Sequence, residues 1–306
     1  MTTPLEHPAG AVYDRGYRPY EGERGGRGAA RAALVRVSIR RALGLRRSWR
    51  QKVLPWSLLA IATVPALVNV GVKYITRNTA ASNFNLITYR EYVGVSTALL
   101  LFVAITAPDM VCPDRRNRVL PLIFARPLTG NDYVLAKVGA LTAVLFGFGF
   151  LPQVVLFAGQ MYVAPEGALD YVKANSAVLW QVPVAVALFS VYWASLAVAI
   201  SATTARRVVA GVALLATVLV SGAVASVLVA SRGVDPGFIF ENGSLWGLIS
   251  VVEIPLRMTD LVFLGHVDPQ SLVGGARGAG IGVVLVYLAI VAGSLGYLVQ
   301  RYRRVQ

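Results

Sequence analysis

The residues best suited to a specific function are concentrated in one segment, residues 109–137. Asp114, Arg115 and Arg118 precede an apolar run, and Arg126 follows it. The apolar run contains Leu120, Leu122, Ile123 and Phe124. This pattern predicts a short helix with an apolar face, able to dock against a partner or to pack under neighbouring helices. An amphipathic turn lying on lipid headgroups is the alternative.

The residues that follow this run contain signals for the end of one helix and the start of another. Arg126-Pro127 is predicted to end the short helix, because proline disfavours helical conformation at the preceding residue. Asn131 or Asp132 is predicted to cap the next helix.

Patterns of catalytic or metal-binding residues are absent from the sequence. It contains no Gly-x-x-x-x-Gly-Lys-Ser/Thr, no His-Glu-x-x-His and no Gly-x-Ser-x-Gly. The two histidines, His7 and His266, lie in different segments, and Cys112 is the single cysteine. No histidine-based metal site is therefore visible in the sequence, and an intrachain disulfide is excluded. A membrane-embedded enzyme is disfavoured, and no cofactor or metal is predicted for this chain.

The composition is that of a membrane protein. The chain is 56% hydrophobic and 14% charged, against about 25% charged residues in a typical soluble domain. Charge is missing in six blocks, each long enough for the roughly 17–25 residues that cross a bilayer. The sequence therefore predicts an all-α protein with six transmembrane helices, at about residues 53–72, 92–110, 138–160, 177–200, 208–230 and 278–300.

Basic residues predict the orientation of these spans. With the N-terminus inside, 22 of the 29 lysines and arginines fall on the cytoplasmic side. The seven on the outer side are Lys73, Arg77, Arg90, Lys173, Arg232, Arg257 and Arg277. Both termini are thus predicted to be cytoplasmic, with segment 109–137 on the same side. The net charge of +14 is explained by topology and by attraction to anionic lipid, so nucleic-acid binding is disfavoured.

The chain before the first span divides into an arm and a helix. Residues 1–28 are rich in Gly, Pro, Arg and Tyr and are predicted to be irregular. Residues 29–52 mix arginine with aliphatic residues, and Val35, Ile39, Ala42 and Trp49 lie near one helical face. This predicts an amphipathic helix in the cytoplasmic interface, anchored by Arg36, Arg40, Arg47 and Trp49. The alternative is a solvated basic linker.

Polar residues between residues 177 and 277 suggest two further features. Residues 231–277 form the longest predicted external segment, and its part 244–263 carries Glu253, Arg257 and Asp260 at spacings that place them on one helical face. Three charges make 244–263 a poor seventh span, so we predict an amphipathic or re-entrant helix there. Within the fourth span, Gln181 and Tyr192 are candidates to face a translocation path, although such residues more often join helices.

Segment 109–137 resembles the cytoplasmic loop between spans two and three of ABC-2 type transporter permeases. The matching positions are Asp114-Arg115, Leu120 to Phe124, Arg126-Pro127-Leu128, Asp132-Tyr133 and Lys137. The resemblance extends to the connecting helix before span one, the six spans and the external helices between spans five and six. One departure stands at Arg118-Val119-Leu120-Pro121, where the family has Gly-Thr-Leu-Glu.

This resemblance implies a role and partners. The short helix would be a coupling helix that fits a groove on an ATPase subunit, and two permeases would assemble with two ATPases. ATP and Mg would bind the partner ATPase, because this chain has no nucleotide-binding loop. The chain would comprise a cytoplasmic arm and connecting helix (1–52), a six-span domain (53–300) and a cytoplasmic tail (301–306) in the bacterial inner membrane.

The cargo is not fixed by the resemblance, although charge-free spans favour a hydrophobic or amphipathic molecule. The competing hypothesis is a non-transporting scaffold or assembly subunit of a membrane complex, which would share the topology and bind no ATPase.

Overall fold

The computed structural model describes residues 25–45, 49–77, 86–94, 97–125, 128–231 and 244–304, and all regular structure in them is helical. The α-helices are α1 (Arg27–Ala42), α2 (Trp49–Thr76), α3 (Tyr89–Gly94), α4 (Thr97–Arg116), α5 (Leu120–Phe124), α6 (Gly130–Val163), α7 (Ala168–Ala174), α8 (Val178–Thr203), α9 (Arg207–Ala230), α10 (Glu253–Leu264) and α11 (Ala279–Arg303). A 3₁₀ helix, Leu245–Ile249, lies between α9 and α10.

Six helices in the described residues are long and apolar enough to cross a membrane: α2, α4, α6, α8, α9 and α11. The number and order of these helices agree with the six predicted spans. Residues 244–263 do not form a seventh span, because they are divided between the 3₁₀ helix and the 12-residue α10.

The helices extend further than the apolar blocks. α6 has 34 residues, and at about 1.5 Å per residue it is roughly 50 Å long, against about 30 Å of hydrocarbon. α4 likewise continues to Arg116. Asp114 and Lys137, predicted to lie in a loop, are therefore helical residues, and the loop is reduced to the short connections on either side of α5.

The helix α8 lies at the centre of the bundle. It packs against α4, α6, α9, α10 and α11. Tyr192 and Trp193 of α8 are almost completely buried. The periphery is formed by α2, α9 and α11, whose large apolar side chains are widely exposed, as lipid-facing surfaces require.

The packing of α2 on α6 depends on one small residue. A Cβ atom built on Gly159 would overlap the Cγ atoms of Val70. Glycine at this position allows the two helices to approach closely, as small residues do in membrane bundles.

The bundle has two distinct ends. The α5 end carries α1, α5, the start of α6 and the end of α11. The α10 end carries α3, α7, the 3₁₀ helix and α10. The predicted interfacial helix is shorter than residues 29–52, because α1 ends at Ala42 and α2 begins at Trp49.

Candidate functional site

The turn between α4 and α5 is sharp and conformationally unusual. Arg118 has a φ of 50°, in the left-handed region that residues other than glycine rarely adopt. The N–H groups of Arg118 and Val119 donate to carbonyls of the last turn of α4, at 3.2 and 3.0 Å. Pro121 then stands in the first turn of α5, where its missing N–H leaves no bond unmade. The turn therefore folds α5 back under the bundle.

The apolar residues of α5 face in different directions. Leu120 is buried under the bundle, and the ring of Phe124 lies edge-on to Tyr133 of α6 with 6.2 Å between centroids. Ile123 is half-buried, whereas Leu122 is 70% exposed. Of the four residues predicted to dock against a partner, Leu122 presents most of its side chain, and Leu120 and Phe124 hold the helix in place.

Beneath α5, Asp114 is the centre of a buried ionic cluster. Its Oδ2 lies 2.6 Å from Nζ of Lys137, and its Oδ1 lies 2.8 Å from Nη1 of Arg41. The hydroxyl of Tyr133 donates to Oδ2 at 3.0 Å, and Nζ of Lys137 also donates to the carbonyl of Met110 at 2.8 Å. This cluster joins α1, α4 and α6, so Asp114 acts inside the α5 end rather than on its surface.

A second cluster fixes the start of α6 to α1. Thr129 is the N-cap: its hydroxyl accepts from the N–H of Asp132, whose carboxylate accepts from the N–H of Thr129 at 3.0 Å. Asp132 also pairs with Arg27, at 2.7 Å, and with Arg31. The prediction of Asn131 or Asp132 as the cap was wrong by two or three residues, although Thr-x-x-Asp is a recognisable capping pattern.

Two further charged residues of α4, Asp109 and Arg115, connect it to the start of α9 and the end of α8. The guanidinium of Arg115 donates to the carbonyl of Ala202, at the end of α8. Nη1 of Arg207 lies 2.7 Å from Oδ1 of Asp109. These side chains tie helices together, as Asp114 does.

A hollow of about 380 Å³ separates α1 from α5. Leu122, Ile123 and Val119 form one wall, α1 forms the other, and Arg41, Asp114 and Lys137 line it as well. An apolar side chain from outside would meet Leu122 at this hollow. Leu122 and this hollow thus adjoin each other at the α5 end. The described residues contain no group of three or more metal-ligating side chains.

The predicted anchors of α1 are only partly described. Arg36 and Arg40 are exposed, opposite a face where Val35, Ile39 and Ala42 pack on the core, so the predicted apolar face is confirmed for these three residues. Arg47, Arg126 and the side chain of Trp49 lie outside the described residues, as does the arm 1–24. Contact with lipid headgroups stays a prediction.

Gln181 and Tyr192 both connect α8 to the α10 end. Nε2 of Gln181 donates to the carbonyls of Val262 and Phe263, at 3.3 and 3.4 Å. The hydroxyl of Tyr192 donates to the carbonyl of Val251 at 2.9 Å. These contacts give both residues a packing role, and their place on a translocation path stays a prediction.

An ion-pair network at the α10 end extends the predicted charged face. Arg257 lies 3.0 Å from Glu253 and 2.7 Å from Asp260, which confirms that the three share one face of α10. Sequence reasoning missed Arg90 of α3, which pairs with Asp260 at 3.6 Å and with Asp268 at 3.0 Å. Burial raises the pKa of the Glu253 and Asp260 carboxyls, and the charge of Arg257 opposes that rise.

Comparison of the chain with protein-family models, with curated proteins and with solved structures finds no match.

Proposed function

We propose that this chain is the membrane subunit of an ATP-driven exporter of the ABC-2 type, acting as a homodimer with a separate ATPase. In this proposal the α5 end faces the bacterial cytoplasm and α5 is the coupling helix. The ATPase binds ATP and Mg, and the cargo is a hydrophobic or amphipathic molecule that leaves through the cytoplasmic membrane.

The observation that carries the proposal is the exposure of the Leu122 side chain on α5. A leucine with 70% of its surface exposed projects from a five-residue helix between spans two and three, next to the hollow under α1. Isolated exposed leucines are common, but here the apolar side chain adjoins a recess whose lining is apolar except for Arg41, Asp114 and Lys137. This arrangement suits insertion against a partner protein.

The turn before α5 adds support of a different kind. The left-handed conformation occurs at Arg118, the position at which the resembling permeases have glycine. Glycine adopts positive φ without steric cost, so a glycine there is what the same sharp turn would favour. The departure of this chain from the family pattern is therefore compatible with a backbone of the same shape.

The contacts of α5 explain how a push from a partner would reach the spans. Phe124 bears on Tyr133 of α6, and α5 follows α4 after three residues. Asp114 then links α4 to Lys137 of α6 and Arg41 of α1. Displacement of α5 by nucleotide-driven closure of the ATPases would move these three helices together, which is the rigid coupling that a switch between two bundle states needs.

A pull-down of the tagged chain from native membranes tests the proposal. We expect an ATPase chain to co-purify and to show vanadate-sensitive ATP hydrolysis in the recovered complex. Recovery of other membrane proteins in stoichiometric amounts with no ATPase would favour the scaffold hypothesis and overturn the proposal.

A further inference from the structure

Two hollows adjoin each other near the α10 end, one apolar and one basic. The apolar hollow, about 220 Å³, lies between α3, α6 and α8. Its lining residues include Tyr89, Gln153, Val154 and Phe157. The basic hollow, about 280 Å³, lies between the ends of α2 and α6 and one side of α7. Its polar lining comes from Lys73, Arg77, Gln160, Glu166, Tyr171 and Asn175.

The two hollows share a wall of hydrogen-bonded side chains. Tyr89 and Phe157 line the apolar hollow, whereas Gln160 and Tyr171 line the basic one. The hydroxyls of Tyr89 and Tyr171 are 2.9 Å apart, and both lie within hydrogen-bonding distance of Oε1 of Gln160, at 3.2 and 2.6 Å. The ring of Phe157 lies 5.7 Å from that of Tyr171. A tyrosine with its ordinary pKa of about 10 is already neutral at physiological pH, and burial raises the pKa of both tyrosines further.

The two hollows follow each other along α6, the apolar hollow first and the basic hollow nearer the end of the helix. Gln153 and Phe157 face the apolar hollow, and Gln160 faces the basic one on the same stripe of α6. From Gln153 to Gln160 the helix rises about 10 Å. The polar layer of each leaflet is about 5–8 Å thick. If the basic hollow lies among the headgroups, the apolar hollow therefore lies at the depth of the acyl chains.

The basic hollow has an excess of positive charge. Within the described residues, no carboxylate lies within ion-pair distance of Lys73 or Arg77, whose guanidinium instead stacks over the ring of Tyr74 at 4.4 Å. Glu166 lines the same hollow and leaves it with one net positive charge. A half-buried lysine beside an arginine attracts a phosphate group. The amide of Asn175 donates one N–H to the carbonyl of Tyr171, and its second N–H adds a hydrogen-bond donor to the hollow.

We propose that the two hollows together bind one anionic phospholipid, with its phosphate at Lys73 and Arg77 and an acyl chain in the apolar hollow. Either hollow alone would be unremarkable for a membrane protein. Their contact through a shared wall, with an apolar chamber below a cationic one, fits a molecule that is amphipathic and negatively charged. The site goes beyond the proposed transport function, because it lies within one chain and requires no ATPase.

Lipid binding to the purified chain in neutral detergent, followed by native mass spectrometry, tests the headgroup contact. We expect phosphatidylglycerol to be retained in preference to phosphatidylcholine with the same acyl chains. The double variant Lys73→Gln/Arg77→Gln should weaken phosphatidylglycerol binding roughly tenfold or more. Each basic residue near an anionic surface raises the affinity about five- to tenfold. Lys173→Gln, at an exposed lysine on neighbouring α7, is the matched control and should change nothing.

Filling the apolar hollow tests the acyl contact. Val154→Trp should reduce retention of phosphatidylglycerol, whereas Leu151→Trp should not, because Leu151 is equally exposed on α6 but does not line the hollow. Inorganic phosphate is the competitor that separates a lipid from a free anion. The proposal is overturned by equal retention of the two lipids, by equal effects of the two tryptophan variants, or by displacement of phosphatidylglycerol with equimolar phosphate.

Discussion

Nζ of Lys137 lies 2.6 Å from Oδ2 of Asp114, and the two side chains are only 3% and 7% exposed. The partners are not equivalent. Asp114 also pairs with Arg41 and accepts from Tyr133, whereas the one carboxylate that pairs with Lys137 in the described residues is Asp114. The stability of the α5 end therefore depends more on the carboxylate than on the lysine.

Removal of the carboxylate is expected to cost more than removal of the lysine. Asp114→Leu leaves Lys137 buried without its counter-charge, for which about 3–5 kcal/mol is a typical loss. Lys137→Met leaves Asp114 with Arg41 and should cost less. The double variant should be more stable than Asp114→Leu alone, because it removes the uncompensated charge. Thermal unfolding of the detergent-solubilised protein measures all three.

The matched control for this series is Lys173→Met. Lys173 pairs with Asp170 on α7, but both side chains are largely exposed, so the loss should stay below about 1 kcal/mol. If the double variant is no more stable than Asp114→Leu, the charge of Lys137 must have found another partner after the loss of Asp114, and the prediction is contradicted.

At Arg118, in contrast to the substitutions above, we expect a substitution to increase stability. The left-handed conformation costs a residue with a Cβ atom roughly 1–2 kcal/mol, and glycine avoids that cost. Arg118→Gly should therefore raise stability by about 0.5–1 kcal/mol, Arg118→Asn should be close to neutral, and Arg118→Val should destabilise. The order of their unfolding midpoints is the measurement, and a valine variant as stable as the glycine variant would contradict the strained turn.

The sequence predicted the spans well because each depends on composition over some twenty residues. It predicted the contacts of the α5 end poorly, because these join residues far apart in the chain. Arg27 pairs with Asp132 across 105 positions and Arg41 with Asp114 across 73, and no periodicity links such pairs. Helix ends were misplaced for a related reason, since α4 and α6 continue into charged residues that look like a loop.

Within the site itself, residue type was predicted but direction was not. Four residues of α5 are alike in hydrophobicity: Leu120, Leu122, Ile123 and Phe124. Composition alone therefore predicts that all four are buried to the same extent. In a five-residue helix, however, successive side chains differ by about 100°, which turns Leu120 inward and Leu122 outward. The direction depends on the turn at Arg118, which contains no sequence signal for positive φ.

The exposed leucine of α5 gives a direct test of partner docking. Leu122→Asp should leave unfolding and membrane insertion unchanged, because the side chain is mostly exposed. If Leu122 anchors an ATPase, loss of such an apolar contact typically exceeds about 2 kcal/mol, or more than tenfold in affinity. Co-purification of the ATPase should therefore fall more than tenfold. Leu169→Asp is the control, because Leu169 on α7 at the α10 end is similarly exposed, at 77% against 70% for Leu122. Equal losses of co-purification in both variants would show that α5 is not part of the interface.

The close approach of α2 and α6 predicts a pair of compensating substitutions. Gly159→Ala places a methyl group against the stiff, branched side chain of Val70 and should destabilise by about 1–3 kcal/mol. Val70→Ala in the same chain should restore part of that loss. Gly139→Ala on α6 meets open space and should be neutral or stabilising by up to about 1 kcal/mol. Unfolding midpoints measure the cycle, and strictly additive effects of the two substitutions would contradict the overlap.

Glu253 predicts how stability depends on pH. Burial raises the pKa of its carboxyl, so between the ordinary glutamate pKa and the raised one the folded state holds a proton that the unfolded state has lost. The stability contributed by this group is therefore highest in acid and falls as pH rises through the raised pKa. Glu253→Gln is neutral throughout, and Arg257 keeps its pair with Asp260. Between about pH 4.5 and 7.5, the unfolding midpoint of Glu253→Gln should therefore rise relative to that of the wild type as pH increases. Asp170→Asn, which removes an exposed carboxyl on α7, is the control variant. A difference between Glu253→Gln and the wild type that shrinks with rising pH would contradict the raised pKa.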